Sequence, residues 1–533
     1  MADRMADREQ LRALLKEGFA ALQSGRTQHA GQLCKRILDL APKLVQGHFL
    51  LGLVALEAGD RRTALQAFGS VTALDPKHNA SWAQLAKLFV GEGQVNRADA
   101  ALARAVRGDP EEPLVQDLIG TVLSLLGEYA LAQEWFAKAC AKRPRHVGML
   151  LNLANNHVYF GDTGQALALY ERILEIEPNS PQAHWSLAGA RKAPDDAHVL
   201  ACRTLLAERP GLHPRLQAFY HYAIGKECED LERWEEAFAA FAEGAAARRE
   251  TVEYDEAAEI EMFAFLEASF DEGWLAAREP GNPSRAPIFV LGQPRTGTTL
   301  IERIISSHSA VTSAGELQQF SLAIRRLSDH RDPKRFSAAL FEAALGIPPA
   351  ALGATYLETT RRMQGGTPHF VDKLPQNYLC IPLILAALPN AKIVHLVRDP
   401  MDASFASFKQ LFADAYLHSY DQREMARHHA RYRKLMATWR RRFGNRFHDM
   451  SYEATTSDLE AQVRGLLDFL ELPFEEACVN FHAQEGAVST ASAAQVREPA
   501  HSRSVGRWRR YRTQLEPMRQ ELAKAGVAAA RVP

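Results

Sequence analysis

The sequence lacks the features that would place the chain in or across a membrane. It contains no run of about 18 apolar residues, the length that a membrane-spanning helix needs. Its first ten residues are charged and offer no apolar segment of the kind found in a secretory leader. We therefore expect no membrane association, no leader peptide and a cytoplasmic location.

Paired cysteines and an excess of charge are also missing. The six cysteines are scattered without a C-x-x-C pair, which predicts buried thiols in a reducing compartment rather than disulfides or a zinc site. Lys and Arg number 63 against 64 Asp and Glu. This balance argues against a general nucleic-acid or membrane-surface binder, so any anion site is expected to be a local cluster.

Three residue types do recur, with a spacing of 34 positions. A chain of 533 residues is expected to hold two or more domains, and this periodicity marks the first. Glycine permits a tight turn between helices, alanine fits where two helices approach closely, and proline ends the second helix. The three series are Gly25, Gly59, Gly93, Gly127 and Gly161; Ala30, Ala64, Ala98, Ala132 and Ala166; and Pro42, Pro76, Pro110, Pro144 and Pro178.

This pattern resembles the tetratricopeptide repeat, and five units cover residues 11–180. A degenerate copy at 218–251 carries Gly225, Ala237 and Phe241 at matching offsets. We predict an α-solenoid of helix pairs over 1–250, followed over 251–286 by a helix and a proline-rich linker. Such arrays commonly hold a peptide on their concave surface. The sequence leaves open whether this array captures a substrate or serves as a scaffold or dimerisation surface, a homo-oligomer included.

Residues 287–533 have a different pattern, in which short apolar runs alternate with helical segments. Runs at 288–292, 369–372, 391–397 and 446–452 predict buried strands, and residues 251–279 before them read as helix. Strands separated by helices are typical of an α/β domain with a mostly parallel sheet.

A glycine-rich loop follows the first of these strands, in the segment 292–299. Gly292 and Gly297 have the spacing of a P-loop, but Thr298 occupies the position of the usual lysine. Backbone N–H groups of such a loop bind oxyanions, and Arg295 adds a cation to it. The missing lysine disfavours a P-loop kinase or other nucleoside triphosphatase.

The segment 294–300 resembles the 5′-phosphosulfate loop of sulfotransferases, most closely that of the tyrosylprotein sulfotransferases and their bacterial repeat-fused relatives. The resemblance covers most of residues 287–510 and implies an α/β P-loop domain that uses PAPS as donor and releases PAP. It implies that the loop binds the 5′-phosphosulfate through Arg295, Thr296, Gly297, Thr298 and Thr299.

Later motifs of the resemblance concern the rest of the nucleotide. Arg398 matches the arginine that binds the 3′-phosphate, but Ala406 stands where the family has serine, so Ser404 or Ser407 is expected to substitute. The alternative for Arg398 is a structural ion pair with Asp399 or Asp402. The remaining implied cofactor contacts are Tyr452, Ser492 and Arg507.

The resemblance also implies catalytic groups. Glu316 lies 21 residues after Arg295, as the family's catalytic base does, and Lys373 matches the lysine that contacts the sulfate and its bridging oxygen. Arg295 is the third catalytic candidate. In the alternatives, Glu316 only caps the next helix, and Lys373 is a surface residue paired with Asp372.

No metal site is expected, because adjacent His428 and His429 point about 100° apart on a helix. A protein tyrosine is the first expectation for the acceptor. It is weakened because Leu317, Gln318 and Gln319 stand where the family places arginines, so a glycan, lipid or small phenol stays open. The runner-up hypothesis is a non-catalytic repeat adaptor whose P-loop domain binds nucleotide without turnover.

Overall fold

A computed structural model describes residues 2–330, 332, 334–412, 414–444, 446–484, 486 and 495–527. The chain divides into two compact units, Met1–Leu153 and Ala154–Pro533.

The first unit consists of helices that follow the 34-residue period. They are α1 (Ala2–Gln23), α2 (Thr27–Leu40), α3 (Val45–Glu57), α4 (Arg61–Leu74), α5 (Asn79–Gly91), α6 (Val95–Ala105), α7 (Pro113–Leu125), α8 (Tyr129–Lys142) and the start of α9 (Val147–Phe160).

The recurring residues have the roles that their chemistry predicts. The turn glycines have positive φ values, from 67° at Gly93 to 84° at Gly161, and each follows an odd-numbered helix. The five periodic alanines are fully buried. A further contact joins the helices within a pair, since a Cβ atom on Gly52 would lie 2.6 Å from the ring of Phe68. The predicted α-solenoid is thereby confirmed.

The second unit begins with more helices. They are α10 (Thr163–Ile176), α11 (Pro181–Ala190), α12 (Ala197–Ala207), α13 (Pro214–Asp230), α14 (Trp234–Arg249), α15 (Glu256–Ser269) and α16 (Glu272–Ala276). The helices α13 and α14 form the degenerate pair, in which a Cβ atom on Gly225 would lie 2.6 Å from Phe241. The helix expected over 251–279 is wrong as one element. It breaks after Ser269 because the Asp271 carboxylate accepts a hydrogen bond from the Trp274 N–H at 2.6 Å and starts α16.

A five-stranded sheet follows, with the order β2-β3-β1-β4-β5 and parallel pairing throughout the described strands. The strands are β1 (Pro287–Gly292), β2 (Val311–Ser313), β3 (His369–Lys373), β4 (Lys392–Val397) and β5 (Phe447–Ser451). The four predicted strands are all present. The three-residue β2 was not predicted, because so short a strand has no periodicity to detect.

Helices cover both faces of the sheet, so the predicted α/β class is confirmed. Alternate residues of β1 point into different cores: Phe289 and Leu291 pack on one side, and Ile288 and Val290 on the other. The covering helices are α17 (Thr298–Ser306), α18 (Gln319–Leu327), α19 (Ala338–Ala344), α20 (Pro349–Thr360), α21 (Ile381–Ala387), α22 (Pro400–Phe408), α23 (Gln422–Phe443), α24 (Tyr452–Ser457), α25 (Leu459–Leu470), α26 (Glu476–Val479) and α27 (Glu516–Lys524).

Short 3-10 helices complete the second unit, at Arg361–Gln364, Pro375–Cys380, Leu417–Tyr420, Phe481–Ala483, Gln495–Arg497 and Arg507–Tyr511. Among the described residues, no single helix has the length and apolarity to cross a membrane, while the bent pair Ala338–Ala344 and Pro349–Gln364 together meets that test.

Candidate active site

The glycine-rich loop connects β1 to α17 at the carboxyl edge of the sheet, where ligands of open α/β sheets bind. Thr296 Oγ1 donates a hydrogen bond to the Gln293 carbonyl at 2.7 Å and closes the turn. Gly297 has a φ of 98°, and Thr298 and Thr299 begin the helix, nearly buried. The loop therefore presents the N-terminus of α17, with the N–H groups of its first turn, to this edge.

Arg295 lies at the turn of this loop with a φ of 64°, which is uncommon for a residue with a side chain. Its carbonyl accepts a hydrogen bond from Arg398 Nη1 at 2.7 Å. Burial, followed by the positive charge of Arg398, lowers the pKa of Arg295 to about 10. Two guanidinium groups thus lie together where an anion would stabilise both.

Arg398 follows β4 and connects the loop to two other segments. Its Nη2 donates to the Ser504 carbonyl at 2.6 Å, and its Cζ lies 4.4 Å from the centre of the Tyr452 ring. That ring also packs on the loop, since a Cβ atom on Gly297 would lie 2.7 Å from Tyr452 Cδ2. The structure therefore brings Arg295, Arg398 and Tyr452 together at one edge.

Two aspartates near Arg398 have helix-capping and loop-holding roles. Asp399 Oδ1 accepts from the N–H groups of Met401 and Asp402 and so caps α22. Asp402 Oδ1 accepts from the Trp508 N–H at 3.0 Å, which holds the segment of Arg507 against α22. Arg398 thus bonds to backbone carbonyls of two segments, and its positive charge also acts on Asp402.

The two serines that flank Ala406 lie on α22 and differ in their contacts. Ser407 Oγ donates to the Ala403 carbonyl at 3.0 Å and lies 3.4 Å from the Pro294 carbonyl of the loop. Ser404 is fully buried, and its Oγ has no hydrogen-bond partner among the described residues.

A second charged group lies one strand away. Lys373 ends β3, opposite Val290 of β1, and its side chain is 1% exposed. Its Nζ forms an ion pair with Glu316 and lies 3.7 Å from Glu302 Oε2. Asp372, the partner considered from the sequence, points into the core and accepts a hydrogen bond from the Tyr356 hydroxyl at 2.9 Å. Lys373 is therefore not a surface lysine.

Glu316 lies at the open side of this pair, with its side chain 46% exposed. The next helix, α18, begins at Gln319 after Gln318 and has no side-chain cap, so Glu316 does not cap it.

Glu302, on α17, was missed by sequence reasoning. It is buried and accepts a hydrogen bond from Ser313 Oγ at 2.6 Å. Burial raises its pKa, although Lys373 and Ser313 oppose this. A glutamate inside an apolar helix face was the available signal.

Arg507 belongs to a third charged group, which forms around Glu229 of α13. Its Nε donates to Glu229 Oε1 at 3.1 Å, and the same carboxylate accepts from Lys409 Nζ at 2.8 Å and from the Tyr511 hydroxyl at 3.0 Å. Burial lowers the pKa of Lys409, an effect that Glu229 opposes and Arg295 reinforces.

Sequence reasoning missed both Lys409 and Glu229. The signals were a lysine directly after the apolar end of α22 and a glutamate buried in α13. Ser492, the remaining predicted contact, lies outside the described residues.

The paired histidines of α23 are buried rather than exposed. His428 Nδ1 lies 3.0 Å from Glu259 Oε1, and its Nε2 lies 3.2 Å from the Gln293 amide nitrogen. His428 of α23 therefore contacts the glycine-rich loop at Gln293.

Known proteins resemble both parts of the chain. Residues 287–476 match a family model described as the sulfotransferase family, and residues 55–121 and 151–213 match tetratricopeptide-repeat models. An uncharacterized protein of Aquifex aeolicus is 29% identical over 396 residues, 73% of this chain and 52% of that protein. A protein-tyrosine sulfotransferase of Drosophila melanogaster is 25% identical over 233 residues, 42% of this chain and 46% of that protein.

The chain thus spans about half the length of these two curated relatives. Among solved structures, a thermophilic tetratricopeptide-repeat protein of Thermus thermophilus is 24% identical, covers 34% of this chain and 98% of its own, and has a TM-score of 0.31. Taken together, the family matches show that this chain joins tetratricopeptide repeats to a domain of the sulfotransferase family.

Proposed function

We propose that this chain transfers a sulfuryl group from PAPS to an acceptor hydroxyl. The observation that carries the proposal is that two clusters of charged side chains lie at the same edge of the sheet. Arg295 and Arg398 lie together at the glycine-rich loop. At the end of the neighbouring strand β3, the buried Lys373 pairs with Glu316. Anion binding and proton transfer are the two tasks of this reaction.

The residues at the loop suit a donor that carries a 5′-phosphosulfate and a 3′-phosphate. Burial, and after it the positive charge of Arg398, lower the pKa of Arg295, and a bound anion would offset both effects. Two buried polar atoms, Arg398 Nε and Ser404 Oγ, have no hydrogen-bond partner among the described residues. Buried donors of this kind cost free energy until a ligand satisfies them.

We assign the donor contacts accordingly. The loop residues Arg295, Thr296, Gly297, Thr298 and Thr299 would hold the 5′-phosphosulfate with backbone N–H groups and one guanidinium. The remaining contacts, to the 3′-phosphate and nucleoside, would come from Arg398, Ser404, Ser407, Tyr452, Ser492 and Arg507.

Glu316 is the proposed base, because it is exposed to an incoming acceptor and is held at the site by Lys373. When Glu316 accepts the hydroxyl proton it loses its negative charge, and Lys373 is released to balance charge that develops at the transferring group. Glu302 keeps the ammonium in place. When bound, PAPS supplies an activated sulfuryl group and becomes PAP, and none of these roles calls on a metal ion.

A protein tyrosine is the acceptor that we propose first, with the repeat array as the surface that holds the polypeptide. Leu317 is buried, so it cannot contact an acceptor. The arginines that the family carries after its catalytic glutamate are absent here. In their place, Arg335 supplies the positive charge that would face the acceptor. Burial lowers the pKa of Arg335, and the carboxylate of Glu316 opposes this. Its Nε and Nη2 have no hydrogen-bond partner among the described residues, which suits an acceptor that carries negative charge.

The first test is calorimetric titration of the full chain with PAP, with and without Mg²⁺. We expect binding without metal and a loss of tenfold or more in affinity, about 1.4 kcal/mol, for both Arg295→Ala and Arg398→Ala. The matched control is Arg509→Ala, because this arginine is exposed in the same basic segment. Absence of PAP binding would contradict the proposal and favour a repeat adaptor, and binding only of ATP with Mg²⁺ would favour a kinase.

The second test measures transfer from labelled PAPS to a panel of tyrosine peptides, phenols, glycans and lipids. The substitution Glu316→Gln should lower kcat by about 10²- to 10⁴-fold while PAP affinity stays unchanged, because only proton transfer is lost. Full activity in Glu316→Gln would remove this residue from the base role. Tight PAP binding with no transfer to any member of the panel would support the non-catalytic adaptor.

A further inference from the structure

Three side chains with metal-ligand chemistry meet between α11 and α12, away from the residues discussed above. His184 Nδ1 lies 2.7 Å from His198 Nε2, and Cys202 Sγ lies 3.8 Å from the same His198 nitrogen. All three atoms are within 4.8 Å of one another. His184 and Cys202 are buried, and the side chain of His198 is 12% exposed.

The outer nitrogens of both imidazoles face groups that can only accept hydrogen bonds. His184 Nε2 lies 2.9 Å from the Pro178 carbonyl, and His198 Nδ1 lies 2.8 Å from Glu227 Oε2. Each of these nitrogens therefore carries the ring proton. It follows that the two nitrogens facing each other at 2.7 Å both present lone pairs. Such a contact is repulsive unless a cation, either an added proton or a metal ion, lies between the two atoms.

The surroundings match those of metal-bound histidines. Imidazoles that bind a metal usually donate the other N–H to a carboxylate or a backbone carbonyl, and Glu227 and Pro178 provide one of each here. His198 and Cys202 are four residues apart on α12, so they lie on one helix face. Imidazole nitrogen with thiolate sulfur is the ligand set that zinc prefers.

We propose that His184, His198 and Cys202 bind a divalent metal ion of the zinc class, with Glu227 orienting His198. Bonds of about 2.0 Å to nitrogen and 2.3 Å to sulfur imply tetrahedral separations of about 3.3 Å for N···N and about 3.5 Å for N···S. The two rings would have to separate by only about 0.6 Å from the observed 2.7 Å. The metal displaces the thiol proton of Cys202. Its two positive charges face that thiolate and Glu227, whose other oxygen lies 3.7 Å from Arg191 Nη2.

The site would fix the segment in which the repeat signature is lost, residues 181–217. Its ligands come from α11 and α12, and the orienting Glu227 comes from α13. The same helix α13 carries Glu229, which holds Lys409 and Arg507. The expectation of no metal site rested on the scattered cysteines and on the divergent His428 and His429, whereas these residues become neighbours only when three helices pack.

A second cluster, formed by Glu259, His418 and His428, does not make the same case. Arg431 Nη2 lies 2.8 Å from Glu259 Oε1 and already neutralises that carboxylate. A metal ion there would have to displace the arginine.

The test uses the full, tag-free chain, stripped with a chelator and titrated with Co²⁺ and then Zn²⁺. We expect one equivalent of Co²⁺ to produce a thiolate charge-transfer band in the near ultraviolet and intense visible bands that mark tetrahedral coordination. Zinc should abolish both. The substitution Cys202→Ser should remove the charge-transfer band. Cys228→Ser, which alters another buried thiol on α13, is the matched control and should keep it.

The orienting residue gives a finer test, since Glu227→Gln should weaken zinc binding by about 10- to 100-fold. Absence of a thiolate band in the wild-type chain at saturating Co²⁺ would overturn the proposal and leave a proton shared by the two histidines. An unchanged band in Cys202→Ser would overturn it equally. The wild-type spectrum decides the matter even if a variant fails to fold, and no step of the test depends on PAPS.

Discussion

The repeats of the first unit and the sheet of the second unit hold their residues in place by different means. In the repeats, a helix packs on the next helix, as Gly52 does on Phe68, and the same contact returns at Gly120 and Phe136. In the sheet-bearing unit, Glu229 binds groups 180 and 278 residues further along the chain. A residue that packs within a repeat can be recognised from its position in the 34-residue period. A residue such as Glu229 can be recognised only from the residues around it in the folded structure.

The difference extends to charge. The ion pair of Lys138 with Asp109 in the repeats is exposed, with side chains 46% and 73% accessible. In contrast, the Glu229 side chain is 8% exposed and is shared by two cations. Because burial removes the screening by water, the same chemical pairing has different energetic weight in the two regions.

The largest effect that we expect is the loss of stability on removing the buried carboxylate, compared with removing a partner of the exposed ion pair. Glu229→Ala should lower the free energy of unfolding of the second unit by about 3–5 kcal/mol, because it leaves the partly buried Lys409 and Arg507 without their shared counter-charge. The matched exposed variant, Lys138→Ala, should cost no more than about 1 kcal/mol. Urea unfolding followed by circular dichroism measures both. Similar losses for the two variants would erase the distinction.

A middle-sized effect is expected from overpacking a repeat. Gly52→Ala places a Cβ atom 2.6 Å from Phe68, and we expect a loss of about 1–3 kcal/mol. The control is Gly69→Ala on α4, which meets no atom within 4 Å and should be neutral or stabilise by up to about 1 kcal/mol. Thermal unfolding of both variants compares them. If Gly52→Ala is as stable as the control, the close helix approach is not a constraint.

The last prediction concerns how a buried acid beside the site makes stability depend on pH. Burial raises the pKa of Asp372 from 3.8 to about 8. The folded chain therefore keeps a proton that the unfolded chain releases, so stability falls as pH rises between these two values. The slope from this group is at most about 1.4 kcal/mol per pH unit.

Asp372→Asn retains the neutral form and should flatten that slope. The measurement is the midpoint of urea unfolding at several pH values from 5 to 8 for both chains. Parallel slopes in the variant and the wild type would show that Asp372 ionises in the folded state as it does in the unfolded state.

Much of the fold was accessible from the sequence, because the information is local. The period of 34 predicts helix pairs, and the four apolar runs coincide with β1, β3, β4 and β5. β2 and the break between α15 and α16 were not predicted. A three-residue strand exists only through its partner β3, and a single capping aspartate decides where α16 begins.

The residues of the candidate site also form two groups: those that motifs predict, and those that only the packed structure reveals. The loop, Arg398, Lys373 and Glu316 were found because motifs place them near strand ends, and the structure brings them to one edge. Glu302, Lys409 and Glu229 were not found, since no spacing announces them. Each acquires its role from a partner on a different element. Glu302 pairs with Lys373, and Lys409 pairs with Glu229.

The sequence by itself determined the repeat architecture, the α/β class and the position of the glycine-rich loop, because helix period, strand hydrophobicity and loop glycines act over a few residues. Only the tertiary structure decided which charges share a buried environment. The pairing of Lys373 with Glu316, the shared carboxylate of Glu229 and the facing histidines at 184 and 198 each join separate elements. Their energies depend on burial and distance, and these quantities exist only once the chain has packed.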